Sequence, residues 1–343
     1  MSGEKLLLVG GHVIDPANRL DKPLEVGIAD GRIVCIGPAL PHFAPDRVLD
    51  VSGYVVCPGL IDLCARLREP EGDEPKATLG SETRAAASAG ITTLCCPPDT
   101  RPVMDTPAVA ELIQRHATLA GFTRVLPLGA LTRRLEGTQL SEMAALQKAG
   151  CIAMTNLPRP VSNPLVLLRA LEYAATHHLT VFLQPLDETL AQQGVVHAGA
   201  VSMRLGLPGI PEVAETAAVA RDLALIEATG ARAHFCRISS ARALRLIEQA
   251  AAEGLPVTAD VSIYHLHLSE QDIGEFNSLL HVQPPLRTLH DRAALRAGVA
   301  EGSLTAICSD HTPHEPDAKL KPFPATAPGL SGLDTLLPLT LKL

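Results

Sequence analysis

The spacing of apolar and polar residues along this chain changes near residue 57. Before that point, short apolar runs are separated by turn residues, and this pattern predicts a small β module over residues 1–57. The runs are Leu6–Val9, Val13–Ile14, Leu24–Ile28, Ile33–Ile36 and Val48–Val56. The dipeptide Asp30-Gly31 between two of these runs is typical of a tight hairpin turn.

From residue 58 onwards, eight apolar, β-branched runs mostly alternate with segments of helical spacing. The runs are Leu60–Leu63, Ile91–Cys96, Arg124–Leu131, Cys151–Thr155, Thr180–Leu183, Arg232–Ile238, Pro256–Val261 and Leu304–Ser309. The helix-like segments include Thr106–Ala120, Ser141–Ala149, Pro211–Thr229 and Ser240–Ala252. Eight strand–helix units predict a (β/α)8 barrel over residues 58–343. The alternative is an open doubly wound sheet, but no G-x-G-x-x-G motif follows the first strand.

The composition narrows the classes of protein. Apolar residues make up 46% and charged residues 19% of the 343 residues, so a large core can be buried. The net charge of −8 argues against a nucleic-acid surface. The N-terminus lacks signal-peptide features, and no apolar run reaches the ~18 residues of a membrane helix. The eight cysteines include no C-x-x-C pair, which favours buried reduced thiols. We therefore expect a cytoplasmic protein that binds neither nucleic acid nor membrane.

Barrels of this kind carry their chemistry at the C-terminal ends of the strands. Six segments around these ends and elsewhere resemble successive motifs of dihydroorotase, in the same order across nearly the whole chain. They read PGLIDL…LREP, AGITT, MRLGLPGIPEVAE, VQPPLR, SDHTPH and PGLSGLDT. The resemblance implies a distorted (β/α)8 barrel of the metal-dependent amidohydrolase type, with a small β-sandwich module. It also implies zinc-dependent hydrolysis of the cyclic amide of dihydroorotate, a reaction of pyrimidine biosynthesis.

Most residues at the implied metal-ligand positions differ from the family pattern. The two histidines after the first strand correspond to Cys64 and Arg66, and the bridging acid after the fourth strand corresponds to Asn156. The histidines after the fifth and sixth strands correspond to Gln184 and Arg237. Only the last-strand carboxylate, Asp310, which the resemblance makes both ligand and general base, keeps its residue type.

The substrate-binding positions implied by the resemblance are partly retained. Two asparagines of the family pattern correspond to Asp99 and Gln283, whereas Arg68 and His314 keep the family's residue types.

The replacements argue against zinc at what we call the degenerate position, formed by Cys64, Arg66, Asn156, Gln184, Arg237 and Asp310. A zinc site normally needs three or four imidazoles, thiolates or carboxylates around one ion. Even at an effective dielectric constant of ~20, a unit positive charge ~4 Å from a dication costs about 8 kcal/mol. We therefore expect no zinc there. Arg66 and Arg237 could instead pair with Asp310, which we favour, or bind an anionic ligand.

Other reactive side chains have two interpretations each. His234, His265, His311 and His314 with Cys236 could form an alternative metal site, or the histidines could simply be hydrogen-bonded, which we favour. Cys64 is better interpreted as a buried thiol than as a reactive one, because no base is indicated beside it.

Two functions follow from these expectations. The chain resembles inactive dihydroorotase homologues that assemble with the aspartate carbamoyltransferase catalytic chain in a hetero-oligomer, and we favour this function. The alternative is an active zinc-dependent dihydroorotase with an altered metal site. Dihydroorotase-like chains usually continue with further helices and strands beyond the point where this chain ends. That leaves open either a piece of a longer protein or a form whose barrel lacks its C-terminal closure.

Overall fold

The computed structural model describes residues 3–69 and 77–343. The chain divides into two compact units, one over residues 1–60 and one over residues 61–343. None of the helices described is both long and apolar enough to cross a membrane.

The first unit consists of two small sheets. Its strands are β1 (Leu6–Val9), β2 (His12–Asp15), β3 (Leu20–Pro23), β4 (Glu25–Ala29), β5 (Arg32–Gly37), β6 (Arg47–Asp50) and β7 (Val55–Val56). One sheet has the order β5-β4-β1-β6 and the other β3-β2-β7. The antiparallel pairing of β4 with β5 confirms the hairpin predicted at Asp30-Gly31. Val13 of one sheet and Val26 of the other share a buried apolar cluster, as in a sandwich.

The second unit is built around a parallel sheet of eight strands. They are β8 (Leu60–Asp62), β9 (Ile91–Cys96), β10 (Arg124–Ala130), β11 (Ala153–Thr155), β12 (Thr180–Leu183), β15 (Arg232–Phe235), β16 (Val257–Ser262) and β17 (Ala306–Cys308). A bridge between Ala65 and His311 and a 2.9 Å bond from Arg66 N–H to His311 O connect the segments after the first and last strands. The predicted barrel is thereby confirmed as a nearly closed one, with each predicted run forming a strand.

Ten helices accompany the strands in the described part of the chain. They are α1 (Leu79–Ser88), α2 (Pro107–Ala120), α3 (Met143–Lys148), α4 (Pro164–Thr176), α5 (Glu188–Ala191), α6 (Ala200–Leu205), α7 (Val213–Thr229), α8 (Ala241–Ala252), α9 (Leu289–Glu301) and α10 (Leu336–Thr340). Two further short strands, β13 (Val196–His197) and β14 (Gly209–Ile210), pair with each other. Thr106 precedes α2 but makes no side-chain cap bond, whereas Ser240 caps α8 by accepting from Ala243 N–H at 3.2 Å.

Two of the recognised motif segments meet in a buried polar network. Arg287, from VQPPLR, donates to the carbonyl of Ile210 at 3.0 Å and to Ser239 Oγ at 3.1 Å. Glu215, from MRLGLPGIPEVAE, accepts from Ser239 N–H at 2.7 Å. Arg287 and Glu215 are each 2% exposed, so these bonds lie in the interior. Arg287 and Glu215 therefore hold loops and helices together and do not line the cavity described next.

Candidate functional site

A cavity of about 230 Å³ opens at the C-terminal ends of the barrel strands. Eight of the ten residues singled out from the sequence line it, namely Arg66, Arg68, Asp99, Gln184, Arg237, Gln283, Asp310 and His314. Parallel strands end at one edge of a barrel, and this brings residues from distant segments together. A larger cavity of about 490 Å³ lies beside Arg124, the first residue of β10, and none of the ten residues lines it. The cavity of about 230 Å³ at the strand ends, which we call the mouth cavity, is therefore the candidate site.

Both carboxylate oxygens of Asp310 are occupied. Oδ1 accepts from Arg237 Nη1 at 2.6 Å, and Oδ2 accepts a short hydrogen bond from the Tyr264 hydroxyl. The Cys64 thiol lies a further 3.6 Å from Oδ1. Asp310 and Tyr264 are each 3% exposed, so these bonds are made away from solvent. Burial and the adjacent carboxylate raise the pKa of the Tyr264 phenol well above its usual value, which keeps it a neutral donor.

Arg237 is hydrogen-bonded to two other residues of the degenerate position. Its Nη1 binds Asp310, and its Nη2 donates a short hydrogen bond to Gln184 Oε1. Burial has the largest single effect on the pKa of this guanidinium and lowers it, but the neighbouring acidic groups, Asp310 first among them, together outweigh burial, and the net pKa lies well above the usual value. Arg237 is 1% exposed and stays charged at any pH at which the protein is folded. The guanidinium of Arg237 therefore places a permanent, buried positive charge within the degenerate position.

Arg66 does not pair with Asp310, so the predicted pairing is wrong for this residue. Its Nε donates to Asp99 Oδ2 at 2.7 Å, and its Nη1 donates to Thr312 Oγ1 at 2.6 Å. The oxygens of Asp310 are already taken by Arg237 and Tyr264, and Asp99 offers a nearer carboxylate. Burial has the largest single effect on the pKa of Arg66 and lowers it, but Asp99 together with Cys64 and Asp310 raises it by more, so Arg66 is a second fixed cation.

Two of the ten residues lie outside the cavity lining. Asn156 is buried, and its amide is used by Thr132 Oγ1 at 2.6 Å and by the carbonyls of Leu135 and Arg159 at 3.3 and 3.1 Å. Cys64 is 2% exposed, and burial raises its pKa well above the usual value. It is therefore a protonated, buried thiol.

The remaining positions form the outer wall of the cavity. Arg68 Nε donates to the carbonyl of Pro313 at 3.2 Å, and His314 Nε2 lies 2.9 Å from the carbonyl of Pro328. Gln283 is exposed at the rim. These three side chains line the cavity, and two uncharged residues, Pro158 and Gly329, also line it.

The four histidines do not converge on one point. His265 lies between Ser262 Oγ at 2.6 Å and the carbonyl of Pro285 at 3.1 Å, and burial lowers its pKa to about 4. His311 Nε2 lies 2.5 Å from Glu82, on helix α1. These contacts agree with the hydrogen-bonded interpretation. His234 and Cys236, in contrast, lie close to each other and to Asp260, a residue that sequence reasoning missed.

Tyr264 was also missed as a site residue. It lies two residues after the end of β16, at a barrel strand end, and this position was its only signal in the sequence. Its hydroxyl reaches Asp310 only because the short 3-10 turn over Ile263–Leu266 directs the ring inward.

The residues at the degenerate position do not fit zinc. Asp310 has no free oxygen, the Cys64 thiol is protonated, and Asn156 is used elsewhere. Arg237 and Arg66 add two fixed positive charges to the same space, and each would repel a dication by several kcal/mol.

Comparison with known proteins identifies the family. A family model described as dihydro-orotase-like matches residues 53–243. A dihydroorotase-like protein of Pseudomonas putida is 52% identical over 336 residues. The chain belongs to the dihydroorotase-like family. The match covers 98% of this chain and 79% of the Pseudomonas putida protein. A dihydroorotase of Syntrophotalea carbinolica is 41% identical over 339 residues, which is 99% of this chain and 79% of that protein.

Solved structures of the same architecture are more distant in sequence. The L-hydantoinase of Arthrobacter aurescens superposes with a TM-score of 0.85 at 19% identity, over 99% of this chain and 77% of that one. A D-hydantoinase gives a TM-score of 0.82 at 20% identity, over 98% and 76% of the two chains. At these identities the likeness concerns the fold, and it confirms the amidohydrolase-type barrel of this dihydroorotase-like chain.

Proposed function

We propose that this dihydroorotase-like protein is catalytically inactive and acts as a structural partner of the aspartate carbamoyltransferase catalytic chain in pyrimidine biosynthesis. The observation that carries the proposal is the occupation of Asp310 by Arg237 and Tyr264. Hydrolysis of a cyclic amide at neutral pH needs an activated water, which amidohydrolases generate at a metal. A carboxylate already bound to a guanidinium and a phenol can neither hold that metal nor accept the proton.

The retained motif residues support a scaffold role. Arg287, Ser239 and Glu215 keep their buried bonds, while the residues around Asp310 have changed type. A protein that acts through its surface needs its framework and not its catalytic groups. The partner proposed here is taken from the family resemblance, and we propose a cytoplasmic hetero-oligomer with no zinc at the degenerate position.

One observation favours the alternative, an active zinc-dependent dihydroorotase. The mouth cavity is open, and Arg68 and His314 of the family's substrate-binding pattern still line it. Activity assays separate the two functions. We expect no hydrolysis of dihydroorotate in the presence of added Zn²⁺, with the Syntrophotalea carbinolica dihydroorotase as the positive control. Turnover of this chain together with about one zinc per chain would overturn the proposal.

The partner is tested by co-expression with the aspartate carbamoyltransferase catalytic chain. We expect one species whose native mass exceeds that of either protein alone, measured by light scattering after size exclusion. Two separate species at micromolar concentration would contradict the proposed assembly and leave the question of activity untouched.

A double variant that reintroduces two histidines of the family pattern tests how many of the residue changes prevent hydrolysis. Cys64→His together with Arg66→His is expected not to restore hydrolysis, because Arg237 and Tyr264 still hold Asp310. Hydrolysis by this double variant with added Zn²⁺ would mean that the changes at Arg237, Asn156 and Gln184 do not prevent catalysis.

A further inference from the structure

Three side chains with metal-ligand chemistry meet inside the barrel, at residues other than the degenerate position. His234 lies on β15, Cys236 follows the end of that strand, and Asp260 lies on the neighbouring strand β16. One ligand atom of each lies within 4.8 Å of the other two. Their side chains are buried, with exposures of 5%, 2% and 1%. Two neighbouring, hydrogen-bonded strands, and the residue that directly follows one of them, hold these side chains close together.

Hydrogen bonds already orient two of these side chains as metal ligands usually are. His234 Nδ1 lies 2.7 Å from Thr258 Oγ1, and this contact turns Nε2 towards Asp260 Oδ2 at 3.0 Å. The backbone N–H of Arg237 donates to Asp260 Oδ1 at 2.6 Å. In metal sites the second imidazole nitrogen and the second carboxylate oxygen are commonly held by such bonds.

The charges of this cluster also favour a cation. Asp260 is 1% exposed, and within residues 3–69 and 77–343 the one basic side chain at its carboxylate is His234, whose neutral imidazole donates a hydrogen bond but supplies no counter-charge. Buried carboxylates are normally paired with a cation or bound to a metal. A divalent ion bound to the Asp260 carboxylate and a Cys236 thiolate would form a group with no net charge, which is the least costly state for a buried site.

We propose that His234, Cys236 and Asp260 form a binding site for a thiophilic divalent cation such as Zn²⁺. Zinc bonds of about 2.0–2.3 Å place tetrahedral ligand atoms roughly 3.3–3.8 Å apart. The imidazole and carboxylate atoms at 3.0 Å therefore need to separate slightly, and the thiol needs to approach by at most about 1.5 Å from its limit of 4.8 Å. The thiol disfavours Mg²⁺ and Ca²⁺, which prefer oxygen ligands.

Binding needs one proton to leave the protein. The Cys236 thiol gives its proton to solvent, and the imidazole proton of His234 moves from Nε2 to Nδ1, where Thr258 Oγ1 accepts its hydrogen bond. The thiol of Cys308, 3.6 Å from Asp260 Oδ1, is the nearest candidate for a fourth ligand. This site goes beyond the proposed function and does not depend on it.

The test uses Co²⁺ as a probe of the full chain. The ion is added by dialysis and, in a parallel preparation, supplied to the expressing cells so that a buried site fills as the chain folds. Cobalt bound to a thiolate shows a charge-transfer absorption that oxygen and nitrogen ligands alone do not give. We expect about one equivalent of bound Co²⁺ with this absorption, lost in Cys236→Ser and weakened in His234→Gln.

Two matched controls are other buried thiols of the barrel. Cys95→Ser and Cys64→Ser remove side chains of 1% and 2% exposure, so they carry a similar packing change, and both are expected to keep the absorption. Circular dichroism checks that each variant is folded. If Cys236→Ser does not fold, His234→Gln carries the test, because it removes one ligand and leaves the thiol.

The outcomes separate this inference from the proposed function. No charge-transfer absorption in either preparation of the unaltered chain would overturn the inference and leave the proposed function standing. Absorption that persists in both Cys236→Ser and His234→Gln would also overturn it. Absorption lost in Cys64→Ser and kept in Cys236→Ser would place the ion at the degenerate position and contradict both.

Discussion

At the scale of single residues, the decisive arrangement is a buried carboxylate held by two donors. Arg237 and Tyr264 satisfy the two oxygens of Asp310, and Arg237 reaches Gln184 with its other terminal nitrogen. Charge-assisted bonds of this kind engage the carboxylate that the family resemblance implies as a metal ligand. Their energetic value lies mainly in keeping a buried charge compensated.

The first prediction concerns this ion pair. Arg237→Met is expected to lower the free energy of unfolding by about 3–5 kcal/mol, because it leaves the Asp310 charge buried without a counter-charge. Adding Asp310→Asn should recover part of that loss, since the uncompensated charge is gone and Asn tolerates the φ of 46° at this position. Urea unfolding measures both. A loss below about 1 kcal/mol in the single variant would mean that solvent reaches Asp310.

The second prediction concerns His265, whose pKa burial lowers to about 4. Its unfolded value is about 6.5, so between these values the unfolded chain binds more protons and stability falls as the pH falls. His265→Gln removes this dependence. We expect the stability difference between the unaltered chain and His265→Gln to shrink by up to about 3 kcal/mol from pH 7 to pH 4.

The comparison with the variant is needed because other groups act in the opposite direction. Burial raises the pKa of Asp62 and of Asp222 to about 6, so each takes up a proton in the folded state as the pH falls and favours folding. These two contributions are the same in both proteins and cancel in the difference. A difference that stays constant from pH 7 to pH 4 would show that His265 takes up its proton at the same pH in the folded and the unfolded chain.

At the scale of elements, strand ends and helix starts set the positions of the site residues. Arg237 lies in the short connection between β15 and helix α8, and Ser240 caps this helix. Helix α2 begins after Thr106, whose side chain makes no cap bond. The two helices offer a matched pair, since both have a hydroxyl residue at the same position and only one uses it.

The third prediction follows from that pair. Ser240→Ala should cost about 1 kcal/mol of stability, within a range of roughly 0.5–2 kcal/mol, because the N–H of Ala243 loses its acceptor. Thr106→Ala should cost less than about 0.5 kcal/mol, as there is no such bond to lose. Thermal and urea unfolding of the two variants give the comparison. Equal losses would show that the Ser240 bond contributes nothing beyond the residue type.

At the scale of the whole molecule, the chain keeps the framework of its family while several residues that line its mouth cavity differ from the family pattern. The network of Arg287, Ser239 and Glu215 joins segments far apart in the sequence, and it is intact. The cavity of about 230 Å³ remains open but is lined by paired arginines and aspartates. Substitutions can therefore be chosen that change either the cavity lining or the buried network and leave the other intact.

The fourth prediction uses that separation and rests on the proposed assembly. Gln283→Ala changes an exposed residue of the cavity rim and is expected to leave the mass of the complex with aspartate carbamoyltransferase unchanged. Arg287→Met disrupts the buried network, so it is expected to reduce assembly together with stability. Loss of the complex in Gln283→Ala, with unfolding unchanged, would assign partner binding to the cavity.

Much of this protein was determined by its sequence alone. The period of the apolar runs predicted the eight barrel strands, because a parallel strand buried on both faces needs a continuous apolar segment whatever its neighbours are. The motifs that resemble dihydroorotase implied eight of the cavity-lining side chains, and most of these follow strand ends, which a parallel barrel brings to one edge. The loss of imidazoles at the degenerate position was likewise readable from residue identity.

The pairing of those side chains was decided only by the tertiary structure. Arg66 pairs with Asp99 and not with Asp310, and Tyr264 donates to the second oxygen of Asp310. Distances of a few ångströms between separate strands decide these partners.

The backbone conformation at Arg237 and Asp310 is a second such feature. Both residues have a left-handed backbone, with φ of 56° and 46°, which orients their side chains and which their residue types do not predict. The meeting of His234, Cys236 and Asp260 is of the same kind, because it depends on the register of two strands that 21 residues, including a helix, separate.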